Sequence, residues 1–559
     1  MDYMAEYTRW LNNVEEEDLL DELKSMDEGG REDAFYRNLA FGTGGLRGTI
    51  GAGTNRMNVY VVRKASQGLA DYINSSSDGQ ASVVIGYDSR IKSDVFAKTA
   101  AAVFAANDII VHLWPELNPV PTVSFAVRSL NASAGVMITA SHNPSKYNGY
   151  KVYGHDGCQI TTEAAEIIQG KINALDIFSD IHSCDFEMAV RDKKIRYIDD
   201  SVLTGFIKAV KSQSVLFGDE INRDVAIVYS PLNGTGLKPV TRVLSESGFT
   251  NITVVEEQKN PDGTFPTCPY PNPEIREAME LGLEYCSRLG ADLLLATDPD
   301  ADRCGIAVRD DSGEYQLLSG NEVGLLLLDF ICSQRIKHNV MPEKPVFVKT
   351  IVTMDLAEKI ADNYGVKTVN VLTGFKFIGE IIGRLEKEGR EKDYICGFEE
   401  SYGYLTGSYV RDKDAVNAAF MICEMFAFYK TAGISLIDRL EELYGIYGYC
   451  LNTLHSYEFP GSSGMDKMNR IMEEFHKGVE VIGDMTVERV EDYSTGLNGL
   501  PKSDVLKYYI KCGSVVIRPS GTEPKLKTYI SVTADNREKA EKIEKDINAA
   551  LDELIYSRI

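Results

Sequence analysis

Three aspartates at alternate positions, Asp298, Asp300 and Asp302, directly follow an apolar run at 291–296. A loop that curls there brings three carboxylates onto one cation, and hard oxygen donors select Mg²⁺ or a similar divalent ion. An EF-hand does not account for them. The sixth position of the stretch is Arg303, where that loop needs Gly, and the twelfth is Arg309, where it needs a bidentate Glu. Three Asp side chains leave coordination positions open, which suits a phosphate oxygen.

Ser141 is a candidate carrier of that oxygen. It lies in Thr139-Ala140-Ser141-His142-Asn143-Pro144, after an apolar run at 134–138. The run reads as a buried strand, and the small polar residues before Asn-Pro read as a turn. The hydroxyl is therefore expected at the rim of a sheet, where open α/β proteins bind ligands. A serine-hydrolase triad is disfavoured. His142, adjacent in an extended segment, points to the opposite side, and no G-x-S-x-G elbow surrounds the serine. A phosphorylated Ser141 with its phosphate oxygen on the metal supplies the ligand that the aspartates lack. Lys151 is a candidate general base once a cationic neighbourhood lowers its pKa.

Further polar stretches carry chemistry of their own. The Gly-rich run 41–49 holds Arg47 where a dinucleotide fingerprint needs its last Gly, and no strand precedes it. It reads instead as a flexible loop able to contact phosphate through N–H groups and a guanidinium. The run 397–404 combines Glu399 and Ser401 with glycines, which suits hydrogen bonding to a polyol. Thr373-Gly374 upstream and Arg411 to Lys413 downstream are polar turns near it in sequence. Arg518, Ser520, Gly521 and Thr522 form a plausible anion cradle between two strand-like runs. Taken singly, each of these is also what an ordinary turn looks like.

The elements that must position these loops follow a rhythm. Residues 1–40 read as one or two surface helices. A strand at 82–86 and a helix at 95–106 then open a unit whose later strand, 134–138, delivers the Ser141 loop. Strands at 225–228 and 291–296 do the same for the aspartates, and strands at 346–348 and 394–398 for the Glu399 loop. Strands alternating with helical patterns argue for α/β units with largely parallel sheets. Beyond about residue 450, strand-like alternation at 502–517 and 526–533 precedes an amphipathic helix at 536–555, a smaller α+β domain. The expected domains are 1–210, 211–330, 331–450 and 451–559.

The 559 residues exceed what a single core supports. With 59 basic against 83 acidic side chains, the net charge of −24 disfavours nucleic acid and anionic membranes. An anionic small substrate then requires local convergence of basic residues. The ten cysteines lie no closer than eighteen residues apart, which excludes CxxC metal or redox motifs. No signal peptide or spanning segment is read, so a reducing cytoplasm is the expected compartment.

With these residues in place, the chain resembles the α-D-phosphohexomutase superfamily. The resemblance runs from Gly42 to Lys525 and rests on four loops in the family's order: 139–144 for the phosphoserine, 298–303 for the metal, 399–401 for the sugar and 518–522 for the phosphate. It implies an α/β protein of four domains around a central cleft, three related α/β units with mixed, largely parallel sheets plus a small C-terminal α+β domain. It also implies that phosphorylated Ser141 gives its phosphoryl group to a sugar monophosphate and regains one from the resulting bisphosphate. Mg²⁺ on Ser141, Asp298, Asp300 and Asp302 and a glucose 1,6-bisphosphate primer would be the cofactors. By matched position, Arg47 and Lys151 lie near the reacting hydroxyl and Lys413 on the opposite side. His142 and Arg303 support the phosphoserine, while Thr373, Gly374, Glu399, Ser401, Arg411, Arg518, Ser520, Gly521 and Thr522 bind substrate.

Where many bacterial phosphomannomutase/phosphoglucomutases carry a His shortly after the sugar-loop Ser, this chain reads Gly403-Tyr404. That departure, with Arg411-Asp412-Lys413, is closer to the branch of phosphoglucomutases and phosphopentomutases. The expected reaction is exchange of glucose 1-phosphate and glucose 6-phosphate. Mannose and pentose phosphates, a sugar-bisphosphate synthase, a Mg²⁺-dependent phosphatase and a non-catalytic sugar-phosphate-binding protein are the alternatives. Oligomeric state is not legible.

Overall fold

A computed structural model describes residues 2–42, 44–76, 79–310, 312–459, 464–497, 499–520 and 525–557. The chain divides into two units. The first comprises Met1–Leu318, Gly379–Lys392 and Gly403–Ala427; the second comprises Ser319–Ile378, Asp393–Tyr402 and Phe428–Ile559.

The first unit holds two sheets. One runs Leu46–Thr49, Tyr147–Gly154, Ala134–Ile138, Ser82–Tyr87, Ile110–Leu113, Ile195–Tyr197. Its centre is parallel, with Ser82–Tyr87 between Ile110–Leu113 and Ala134–Ile138. The Tyr147–Gly154 strand turns back antiparallel on Ala134–Ile138 and carries Leu46–Thr49 beyond it, also antiparallel. The other sheet has the parallel strands Ile252–Val254, Ile227–Ser230 and Leu293–Thr297, followed by antiparallel Cys304–Arg309 and Tyr315–Leu318. Ala134–Ile138 and Leu293–Thr297 are buried along their whole length. Their nearly continuous apolar character is that of strands covered on both faces.

In the second unit, Lys367–Val371, Val346–Thr350 and Tyr394–Phe398 pair in parallel. The helix Gly320–Lys337 starts at a capping box between Ser319 and Glu322. The C-terminal sheet is antiparallel, ordered Tyr449–Glu458, Lys525–Ala534, Gly513–Pro519, Leu506–Ile510, Met485–Asp492, Val481–Ile482. Helices Gly464–His476 and Arg537–Tyr556 complete its core through Ile471, Phe475, Ile547 and Leu551. Four sheets, three in α/β units and the last in an α+β domain, match the expected fold class.

Two expectations need correction. The first forty residues form three helices, Tyr3–Asn13, Glu17–Ser25 and Glu28–Phe35, rather than surface decoration. Trp10, Leu23 and Phe35 are fully buried in the first unit's core, where the Trp10 and Phe35 rings meet edge to face. The acidic faces hid a narrow apolar stripe. The Gly-rich run at 41–49 is not simply a loop, since Leu46–Thr49 is a strand. Its glycines reflect close backbone approach: a Cβ on Gly45, whose φ is +79°, would lie 1.8 Å from the Tyr150 carbonyl oxygen. Among the described residues no single helix is long and apolar enough to cross a membrane.

Candidate active site

The strand Ala134–Ile138 delivers the serine. The Ser141 N–H donates to Thr139 Oγ1 at 2.8 Å, and the Asn143 N–H to the Ala140 carbonyl at 3.2 Å, closing the turn. Ser141 itself has φ +52°, a left-handed conformation that L side chains with a Cβ seldom adopt. Its hydroxyl donates to Asp298 Oδ2 at 2.8 Å. The left-handed residue also overturns the expectation for His142. The segment is not extended, so the imidazole falls on the serine's side, with Nδ1 3.3 Å from Ser141 Oγ. Burial, then Arg303 and Arg47, push the His142 pKa down to about 2. A ring so resistant to protonation is a poor general base, which still argues against a hydrolase triad.

The strand Leu293–Thr297 delivers the aspartates. The loop folds on Asp298, whose Oδ1 accepts the N–H groups of Asp302 at 3.0 Å and Arg303 at 2.9 Å. The Ala301 N–H donates to the Asp298 carbonyl at 2.9 Å, and Ala301 is itself left-handed at φ +49°. One oxygen from each of Asp298, Asp300 and Asp302 lies within 4.8 Å of the others, and all three residues are buried. Burial, and the neighbouring carboxylates after it, hold the Asp298 pKa well above the usual range. Burial also opposes ionisation of Asp302, but Lys413, Lys151 and Arg303 outweigh it and hold its carboxyl well below that range. Asp300 Oδ1 and Asp302 Oδ1 are buried without a hydrogen-bond donor. Oxygen donors left over in a tight, buried, all-carboxylate set fit Mg²⁺.

Two ammonium groups converge on the same carboxylates. Lys151 Nζ donates to Asp300 Oδ2 at 2.8 Å and Asp302 Oδ2 at 3.2 Å. Its neighbourhood is anionic rather than cationic. Burial works to lower the Lys151 pKa, but Asp300 and Asp302 override it and leave it raised, opposite to the expected direction. Lys413 Nζ lies 3.1 Å from Asp302 Oδ2 and 3.5 Å from Asp412 Oδ1. Asp412 is fully buried and accepts from Tyr153 Oη and Gln159 Nε2, both at 2.8 Å. Gly403 makes room for the lysine stem, since a Cβ there would stand 2.1 Å from Lys413 Cδ.

Arg47 sits on the Leu46–Thr49 strand opposite Gly149, exposed, with Nη1 3.3 Å from Asn143 Oδ1 in the serine turn. Arg303 is ion-paired to Glu274, with Nε 3.9 Å from Asp302 Oδ1. Arg411, expected to bind substrate, is fully buried. Its guanidinium donates to Glu386 Oε2 at 2.7 Å and to the carbonyls of Ser408 and Val410, which ties the loop together. The sequence reading passed over Asp88 and Arg90, which lie buried against the serine turn. The signal available was a charged pair at the end of the apolar strand Ser82–Tyr87.

The remaining expected residues lie in the second unit. Glu399 Oε1 accepts the Gly374 N–H at 2.9 Å, with Gly374 at φ +113° and Thr373 half-buried beside it. Ser401 is half-buried, and the Glu400 carbonyl and Tyr402 N–H pack against Gly320, where a Cβ would meet them at 2.2 Å and 2.7 Å. The Tyr529 phenol lies within the electrostatic reach of Glu400 and Arg518. Burial and Glu400 push its pKa up to about 12, while a hydrogen bond with Arg518 opposes the rise. The Ser520 N–H donates to the Lys525 carbonyl at 2.7 Å. Gly521 and Thr522 lie outside the described residues. Ser141, His142, Lys151, Arg47, Arg303, Lys413 and the three aspartates thus gather in the first unit, and Thr373, Gly374, Glu399, Ser401 and Arg518 in the second.

Comparison with known proteins gives four successive family matches. They are phosphoglucomutase/phosphomannomutase alpha/beta/alpha domain I at residues 38–177, domain II at 204–313, domain III at 319–447, and the C-terminal domain at 466–550. The phosphoglucomutase of Staphylococcus saprophyticus is 36% identical over 539 residues, covering 94% of this chain and 96% of the relative. Among solved structures, a putative phosphomannomutase from Thermus thermophilus superposes with a TM-score of 0.69 at 20% identity, covering 93% of this chain and 99% of that one. The N-acetylphosphoglucosamine mutase of Aspergillus fumigatus, solved with GlcNAc-6P and magnesium, gives a TM-score of 0.52 at 14% identity, covering 93% and 96%. At these identities the structural likeness is one of fold.

Proposed function

This chain belongs to the phosphoglucomutase/phosphomannomutase family, enzymes that are intramolecular phosphotransferases, and we propose that it interconverts glucose 1-phosphate and glucose 6-phosphate through a phosphorylated Ser141. The observation that carries the reading is the Ser141 hydroxyl 2.8 Å from Asp298, within a buried cluster of three aspartates and two lysines. The preference for glucose rests on the 36% identity to a phosphoglucomutase over nearly the whole of both chains.

Asp298, Asp300 and Asp302, with the phosphorylated Ser141 side chain, would hold Mg²⁺, which would supply charge withdrawal from the phosphoryl group. Phosphorylated Ser141 gives its phosphoryl group to the free hydroxyl of the sugar monophosphate, and Lys151 takes the proton of that hydroxyl. A cation held by Asp300 and Asp302 would weaken the attraction that raises the Lys151 pKa and so would free its amine to take that proton. The bisphosphate reorients and returns its other phosphoryl group to Ser141, with Lys413 serving from the opposite side. Glucose 1,6-bisphosphate is therefore also the primer that phosphorylates the serine. Arg47 and Arg303 offset charge at the reacting phosphate, and His142, 3.3 Å from Ser141 Oγ, supports the phosphoserine. Glu399 and Ser401, aligned by Gly374, take the sugar hydroxyls, and Arg518 and Ser520 the phosphate that is not transferred. All ten cysteines are free thiols, which supports a cytoplasmic setting.

The test is a panel of glucose, mannose, glucosamine and ribose 1-phosphates, each with Mg²⁺ and a trace of bisphosphate, on wild type and Ser141→Ala. Glucose 1-phosphate should be the best substrate, and Ser141→Ala should lose both turnover and the single phosphate seen by intact mass. Full activity in Ser141→Ala would end the phosphoserine mechanism, and a different best sugar would end the glucose assignment.

A further inference from the structure

Four carbonyls of the serine turn face one side chain. Arg90 Nη1 donates to the carbonyls of Pro144 at 3.0 Å and Tyr147 at 3.1 Å, and Nη2 donates to those of Ser141 and Asn143. Arg90 Nε lies 3.4 Å from Asp88 Oδ2, with both side chains fully buried. Asp88 is fixed in turn, accepting the Arg90 N–H at 2.9 Å and the Ser93 hydroxyl at 2.7 Å through Oδ1. The Phe265 ring lies 5.1 Å from the guanidinium carbon. That ring can come so close because Gly263 abuts Arg90, where a Cβ would stand 2.4 Å from the Ile91 nitrogen.

We propose that Arg90 is a positioning residue for phosphoryl transfer: its buried guanidinium gathers four carbonyls of the 141–147 turn and so holds Ser141 in the left-handed conformation that aims Oγ at Asp298. The proposal rests on Ser141 being the phosphoryl carrier. Four carbonyl dipoles converging on one point require donors between them. A planar fork with donors on two separate nitrogens can span them, whereas the three donors of an ammonium radiate from one point. Without the fork, the turn relaxes toward an ordinary φ at residue 141 and the hydroxyl moves off the aspartates. A displacement of about 1 Å at a reacting group is enough to cost about a hundredfold in rate. Because Arg90 acts through the serine turn, the loss should fall on kcat.

Full-length wild type and Arg90→Lys are compared with Mg²⁺, glucose 1-phosphate and a trace of glucose 1,6-bisphosphate, with circular dichroism to establish folding. The expected result is a folded Arg90→Lys whose kcat is about a hundredfold lower while KM stays within about threefold. A folded variant whose kcat is within about threefold of wild type, or whose loss is in KM alone, overturns the proposal. Wild type that turns over none of the sugar phosphates overturns the phosphoserine reading itself, and this inference with it. If Arg90→Lys does not fold, Phe265→Leu takes its place, since it loosens the same guanidinium from its other face. A fall in kcat of about threefold or more at constant KM supports the clamp, and an unchanged kcat overturns it.

Discussion

Gly403→Ala adds one methyl group at a position assigned to neither metal nor substrate binding, yet it should cripple the enzyme. Gly403 is not in the left-handed region, so alanine carries no backbone penalty there. The methyl would lie 2.1 Å from Lys413 Cδ and 2.7 Å from Cγ, where ordinary contacts begin near 3.4 Å. Lys413 must therefore shift by about 1 Å or more, and its ammonium gives up the 3.1 Å contact to Asp302. At about a hundredfold for such a displacement, the barrier rises by about 2.7 kcal/mol. The assay is glucose 6-phosphate formation from glucose 1-phosphate, coupled to a dehydrogenase, for Gly403→Ala, Lys413→Met and the double variant. Because the methyl acts through the lysine, the double variant should be no slower than Lys413→Met alone. A folded Gly403→Ala with kcat within about threefold of wild type, or losses that multiply in the double variant, would refute the reasoning.

Two further predictions concern stability. Glu424 is buried with its Oε2 lacking a hydrogen-bond donor, and burial raises its pKa from 4.5 to about 7 despite the 2.7 Å bond from Ser214. A carboxyl with a raised folded-state pKa folds without penalty below 4.5 and loses stability as pH climbs through 7. Glu424→Gln should thus melt higher than wild type at pH 8, by about 3 kcal/mol in urea denaturation, with the gap closing near pH 4.5. In the second unit, Asp355 Oδ1 lies 3.3 Å from Lys349 Nζ and 2.8 Å from Lys507 Nζ, and both ammonium groups are almost wholly buried. Asp355→Ala leaves them short of a counter-charge and should cost about 3 kcal/mol, read as an early calorimetric transition that Lys507→Met partly reverses.

Chemistry was legible where it is local. Asp298, Asp300 and Asp302 announce themselves by spacing, and the buried strands Ala134–Ile138, Leu293–Thr297 and Tyr394–Phe398 by unbroken apolar runs that end in polar turns. What depends on distant backbone was not legible. Arg90 reads as an ordinary strand-end charge, because its partners are carbonyls 51 to 57 positions away with no sequence signature. Gly45 and Gly149 look like loop residues but mark strands too close for a Cβ, the latter 2.5 Å from the Thr139 carbonyl oxygen. The direction of the Lys151 pKa was misread because the sequence gives no distance to Asp300. The bond of Arg411 to Glu386, 25 residues earlier, has no local signature either. The buried faces of the first three helices were masked by acidic neighbours that set their average polarity.

Ser141 sits in a backbone conformation that glycine would occupy more comfortably. A population of variants sorted only for thermal robustness would therefore drift away from serine at this position, gaining stability and discarding the hydroxyl that the proposed reaction requires. Stability and turnover pull the same residue in opposite directions, and only selection for sugar phosphate turnover keeps the strained choice.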